Sequence, residues 1–168
     1  EAFARLHAEG LIEVGAKTGY FVPILRRQDI RDVLAVRVTL EGGAIDMILE
    51  AGLNTPRRLK PMKDACDQLE RLISENYLLS VTEADFRFHE SLIAASGNPR
   101  LVAAYRHAPL PIILPEVVSG PQWESAVRQT VAEHRAILAA ILEGDAERAR
   151  KLLRSHVTER SLVVAMSR

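Results

Sequence analysis

Asp85 and His89 stand four residues apart in a segment with helical spacing, so their side chains lie about 40° apart on one face. His89 shares its side with Phe86, Leu92 and Ile93, an apolar stripe expected to face a core. His134 falls in the series Val127, Val131, His134, Leu138, Ile141, and His156 in the series Ala149, Leu152, Leu153, His156. Spacings of three and four are those of a buried helical seam. His134 is ten residues before Gly144 and His156 eleven after Asp145. If the two helices fold back across that turn, both imidazoles lie roughly 15–17 Å from it and are level with each other. An imidazole on such a stripe needs a polar partner. A satisfied core histidine meets that need without any ligand, and Asp four residues before His is commonly a surface pair. Three inward histidines with one inward carboxylate also suit a borderline divalent ion: zinc first, with nickel or manganese as alternatives.

Arg37 precedes Glu41 by one helical turn. The pair reads either as an ordinary i,i+4 contact worth about a few tenths of a kcal/mol, or as an inward guanidinium. In the second case Arg37 would grip a ligand carboxylate through two hydrogen bonds beside the ion. Glu133 neighbours His134 but points about 100° away, which makes it a poor general base. His7 and His107 have no matching partners and read as surface or structural residues. Arg57-Arg58-Leu59-Lys60 reads as a solvated helix start. Lys17, Thr18 and Gly19 occupy a ribbon tip that either meets a phosphate backbone or is a solvated turn.

The elements that must position these residues are nearly all helical. Residues 1–9 read as a helix stopped by Gly10. Leu11–Val14 and Tyr20–Val22 read as short strands joined through Gly15–Gly19, with Pro23 ending the unit. This ribbon is too small to fold alone. Asp29 is placed as the cap of a helix reaching about Ala51, and Thr55-Pro56 as the start of a second that runs to about Ser74. A third begins at Ser80 or Thr82 and stops at Gly97. Asn98-Pro99 starts a fourth, disturbed by Pro109, Pro111 and Pro115. Val118–Trp123 is expected to be a loop, Glu124–Glu143 a fifth helix, Gly144-Asp145 a stop and cap, and Ala146 onward a sixth. The expected architecture is therefore all-α, an antiparallel bundle of about six helices behind a small ribbon.

Composition agrees. The chain has 168 residues, 48% of them apolar and 5% aromatic, enough for one ordinary domain plus an appendage. A single cysteine excludes an internal disulfide framework, and no apolar run reaches the ~20 residues of a bilayer span. No signal peptide is visible, and the expected location is cytoplasmic. Twenty-two basic residues balance 22 acidic ones, which argues against a chain coated in nucleic acid. The chain opens on Glu1 inside a helical pattern without an initiator Met, as a piece of something longer would.

The stretch EAFARLHAEGLIEVGAKTGYFVP, residues 1–23, resembles the end of the winged helix-turn-helix of GntR-type bacterial transcription regulators, with Lys17-Thr18-Gly19 at the wing tip. Residues 24–168 resemble the ligand-sensing FCD domain of the FadR subfamily. The marks are Asp-x-x-x-His at 85–89 with Ser96-Gly97-Asn98 following, then His134, Gly144-Asp145 and His156. The resemblance implies a helical bundle holding a divalent metal through Asp85, His89, His134 and His156. It further implies a small organic acid bound next to the metal with Arg37 near the pocket. Members of the family are typically homodimers on palindromic operators, with the effector altering DNA affinity. The first part of the DNA-binding domain is missing here, so operator DNA is expected to be a partner of the full-length protein and not of this chain. The prolines at 109, 111 and 115 are unusual for a pocket-lining helix. The expected function is effector sensing and dimerisation without catalysis. The alternatives are a metalloenzyme using the same Asp/His site on a small carboxylate, or a purely structural helical dimerisation module.

Overall fold

The computed structural model describes residues 1–8, 12–15, 19–21, 27–75, 77, 80–106 and 121–160. A short helix α1 (Ala2–Ala8) precedes an antiparallel ribbon of β1 (Glu13–Val14) and β2 (Tyr20–Phe21), in which Glu13 pairs with Phe21 and Val14 with Tyr20. Gly15 N–H donates to the Gly19 carbonyl at 3.0 Å. Gly19 has φ +106°, a conformation that only glycine adopts cheaply. Phe3 of α1 stacks on Tyr20, with ring centroids 4.8 Å apart. Gly10, Lys17, Thr18 and the boundary at residues 23 and 24 lie outside the described residues.

Six further helices follow: α2 (Arg27–Glu50), α3 (Lys60–Ser74), α4 (Val81–Ala95), α5 (Pro99–Arg106), α6 (Pro121–Leu142) and α7 (Ala146–Ser155). A π-helical turn, His156–Arg160, continues α7. The all-α bundle behind a ribbon is as the sequence implies. Among the described residues no helix is long and apolar enough to cross a membrane.

Several boundaries differ from expectation. Asp29 lies inside α2, whose helical bonding already begins at Arg27. Thr55 closes a turn, its Oγ1 accepting from Arg58 N–H at 3.3 Å, and α3 proper starts only at Lys60. Residues 121–123 are helical and not a loop: Pro121 opens α6, a first-turn position where the missing N–H costs nothing. The prolines at 109, 111 and 115 and His107 are outside the described residues. Asn98 does cap α5, its Oδ1 accepting from Arg100 N–H and Leu101 N–H. Asp145 caps α7 by accepting from Arg148 N–H at 2.9 Å.

Helix α3 packs against α4 and α6, and α2 packs against α4 and α7. The core between them joins Leu34, Ile45 and Ile48 of α2 to Met62 of α3, Phe88 and Leu92 of α4, Ile137 and Ile141 of α6 and Leu153 of α7. A smaller cluster of Leu69, Val81, Val127 and Val131 closes the other end of the α3–α4–α6 contact. Both clusters are built from the apolar stripes, so each stripe's polar member is carried inward with it. Arg37, Glu41, His89, Thr130, His134 and His156 are buried for this reason.

Candidate metal and effector site

Asp85 and His89 come from α4, His134 from α6, and His156 from the first residue of the π-helical turn. One ligand atom from each lies within 4.8 Å of every other. His134 Nε2 is 3.1 Å from His156 Nε2, which is 3.3 Å from His89 Nε2. Asp85 Oδ1 is 3.4 Å from His134 Nε2 and has no hydrogen-bond partner among the described residues. The short turn at residues 143–145 makes α7 run back along α6, which brings His134 level with His156. π-Helical turns are rare and frequently found at functional sites; this one begins at a candidate ligand.

Two imidazoles are oriented by carboxylates and the third by an aromatic ring. His89 Nδ1 donates to Glu41 Oε2 at 2.6 Å. His156 Nδ1 donates to Glu133 Oε2 at 2.8 Å. The His134 ring stacks on Phe88, with centroids 3.8 Å apart and planes within 7°, while its Nδ1 has no partner among the described residues. These tautomers follow from the partners: a carboxylate only accepts, so the proton of a neutral His89 or His156 sits on Nδ1. Their Nε2 lone pairs then face each other at 3.3 Å with no proton between them. A cation at the centre relieves that repulsion. The two nitrogen pairs at 3.1 and 3.3 Å also fit, since two nitrogens about 2.05 Å from a common ion are about 2.9–3.3 Å apart for octahedral to tetrahedral angles. Three nitrogens and a carboxylate oxygen are a donor set for zinc or nickel.

Electrostatics keep the cluster ready for an ion. Burial holds His89 below the ordinary imidazole value, outweighing the opposite pull of Glu41. Burial, with His156 and His89 adding to it, takes His134 well below that value. Both are therefore neutral near pH 7, the form that ligates. Burial alone would raise the Glu41 carboxyl; the neighbouring His89, the Arg37 charge, and the bonds donated by His89 and Tyr105 lower it to about 2. Burial opposes the Arg37 charge, but Glu41 first, then Tyr105 and Asp85, more than offset it, and the guanidinium stays charged.

Arg37 pairs with Glu41 one turn on and points inward. Its Nε donates to Glu41 Oε1 at 2.9 Å, and the pair is buried, Arg37 at 1% exposure and Glu41 at 0%. Arg37 Nη2 has no partner among the described residues. Glu133, set aside as pointing away from His134, reaches across to His156 instead. Sequence reasoning missed Glu41 and Tyr105 as parts of the site, and Glu133 as the partner of His156. A carboxylate one position before an inward histidine on a facing helix was the available signal for Glu133. Tyr105, whose hydroxyl donates to Glu41 Oε1 at 2.9 Å, gave none. Gly19 ends the described part of the wing tip, whereas Lys17 and Thr18 are outside it. Arg58 is exposed, as a solvated helix start would be, but it is also engaged: its Nε and Nη2 donate to the carbonyls of Ala95 and Ala94 at the end of α4.

Fold and site together define an all-α bundle with a buried cluster of three histidines and one aspartate. The model of the FCD domain matches residues 32–159, and the chain belongs to this family of GntR-type transcription regulators. A transcriptional regulator of Agrobacterium vitis is 31% identical over 101 residues, 58% of this chain and 58% of its own length. LutR of Bacillus subtilis is 24% identical over 94% of this chain and 79% of its own. Among solved structures, E. coli McbR/YncC superposes with TM-score 0.77 at 18% identity, covering 99% of this chain and 83% of that one. A GntR regulator from Rhodococcus sp. RHA1 gives TM-score 0.71 at 20% identity, covering 99% and 78%.

Proposed function

We propose that this chain is the effector-sensing and dimerisation part of a DNA-binding transcription regulator, and that its centre holds a divalent metal through Asp85, His89, His134 and His156. The observation that carries the proposal is the facing pair of Nε2 lone pairs at 3.3 Å, with an orphaned carboxylate oxygen beside them. Zinc suits the donor set best, with nickel or manganese as alternatives. When bound, the ion supplies a Lewis-acidic anchor for a small carboxylate. Arg37 Nη2, buried and without a partner among the described residues, is the second anchor, placed for a charge-assisted bond. Residues 1–23 belong to a winged helix-turn-helix, with Lys17, Thr18 and Gly19 as backbone contacts of the wing. Operator DNA is then the partner of the regulator. The effector acts by binding one of two dimer geometries better than the other.

Metal content by mass spectrometry tests the centre. Protein purified without chelator is expected to carry close to one ion per chain, and a His134→Ala, His156→Ala double variant none. Wild-type protein that holds no metal and takes none up on titration overturns the reading. A thermal-shift screen of small carboxylates on the loaded chain, repeated with Arg37→Gln, then tests the second anchor.

A further inference from the structure

Glu41 is fully buried and divides its two oxygens between neighbours of different kinds. Oε2 accepts from His89 Nδ1 at 2.6 Å, which belongs to the candidate ion site. Oε1 accepts from Arg37 Nε at 2.9 Å and from the Tyr105 hydroxyl at 2.9 Å. The three donors come from α4, α2 and α5. One carboxylate therefore touches an ion ligand, the guanidinium that offers Nη2 to an anion, and the end of α5.

Donors on one oxygen of a carboxylate draw charge from the other, and bonds in such a buried network polarise one another. We infer that Glu41 is a positioning residue that joins the ion to the anion anchor: how firmly it orients His89 depends on how firmly Arg37 and Tyr105 hold it. The inference rests on the metal reading above and adds a route that does not require the anion to touch the ion. An anion that engages Arg37 draws the guanidinium from Oε1, leaving more of the carboxylate's charge for Oε2 and hence for His89. By reciprocity a bound ion eases the release of Arg37 toward the anion.

Arg37 carries a charge that acts on the ion directly through space, so changing it cannot isolate the route. Tyr105 is the cleaner probe: Tyr105→Phe removes one donor from Oε1 and leaves every charge in place, and the Glu41→Gln background separates this from the contact its hydroxyl also makes with Arg37. The affinity for Zn²⁺ and Co²⁺ is measured by competition with a chromophoric chelator in wild type, Tyr105→Phe, Glu41→Gln and the double variant. Glu41→Gln is expected to weaken binding by about 10–100-fold. Tyr105→Phe is expected to tighten it by about 2–5-fold, the size of a modest change in one hydrogen bond. In the Glu41→Gln background Tyr105→Phe is expected to do nothing, and the Co²⁺ absorption bands should move only where Glu41 is present. Should Glu41→Gln not fold, the His89 Nδ1–H resonance of the zinc-loaded chain gives the same answer, shifting downfield in Tyr105→Phe. A wild type that binds the ion and a Tyr105→Phe variant indistinguishable from it in affinity and resonance overturn this inference alone. Equal shifts in both backgrounds overturn it too. A wild type that binds neither ion overturns the metal reading and this inference with it.

Discussion

Three imidazoles meet at one point because two carboxylates and one ring aim them: Glu41 for His89, Glu133 for His156 and the Phe88 ring for His134. The ligand candidates were legible in the sequence because they lie on apolar stripes, and a stripe's direction follows from helical spacing alone. Their orienting partners were not. Glu41 meets His89 across 48 residues of chain and Tyr105 meets Glu41 across 64, a relation set by packing and not by local spacing. Glu133 was legible as to direction but not as to partner, since the helix that brings His156 to it lies 23 residues on along the chain. Cys66 gives a check at this scale. It is buried in the main core, and burial pushes its thiol up to about 12, so the reactive thiolate is scarce at pH 8. Alkylation by iodoacetamide at pH 8 is expected to be at least about 100-fold slower in the native chain than in denaturant. A native rate close to the denatured one would mean that α3 does not pack as described.

Helix α4 carries two of the four ligand candidates, and its end is held from outside. Gly97 turns the chain at φ +73°, and the Arg58 guanidinium covers the open carbonyls of Ala94 and Ala95, where a cation also complements the helix dipole. The sequence marked Gly97 as a stop because positive φ selects glycine, yet it gave no sign that Arg58 folds back over the turn 36 or 37 residues later. Arg58→Ala is expected to cost about 1 kcal/mol, reduced from the value of a buried charged bond because the group is largely exposed. In a domain of this size that is about 2–4 °C in melting temperature. Gly97→Ala should cost about 1–2 kcal/mol for the left-handed backbone, and more because its Cβ would sit 3.0 Å from Arg58 Nη2. Since the two positions share that contact, the double variant should lose less than the sum of the singles. Additive losses in a set of thermal melts would show that Arg58 does not cover this end.

Across the whole molecule, a balance of 22 basic and 22 acidic residues reports mainly the bundle, and it hid where the unusual chemistry lies. The polar groups that matter are few and inside, at a junction where α4, α6 and the turn after α7 are brought together by core stripes rather than by one another. On the metal reading, an ion there acts as a fourth member of the core, tying the last helix to the two that precede it. Its effect on stability follows from mass action: at a free concentration about 1,000 times its dissociation constant, an ion that binds only the folded chain adds about 4 kcal/mol. That corresponds to roughly 8–16 °C in melting temperature for a domain of this length. Stripping the protein with chelator should lower its melting temperature by that order, and adding back zinc should restore it. The loss should be uneven. Leu153, His156 and Val157 are buried at the junction, so amide exchange over residues 153–158 should accelerate most in the stripped chain. Amides of Ile45 and Ile48, packed within the apolar core, should change least. A uniform change would point to a general effect of the ion on folding, and no change in melting or exchange would leave the histidines as core residues that hold each other without a metal.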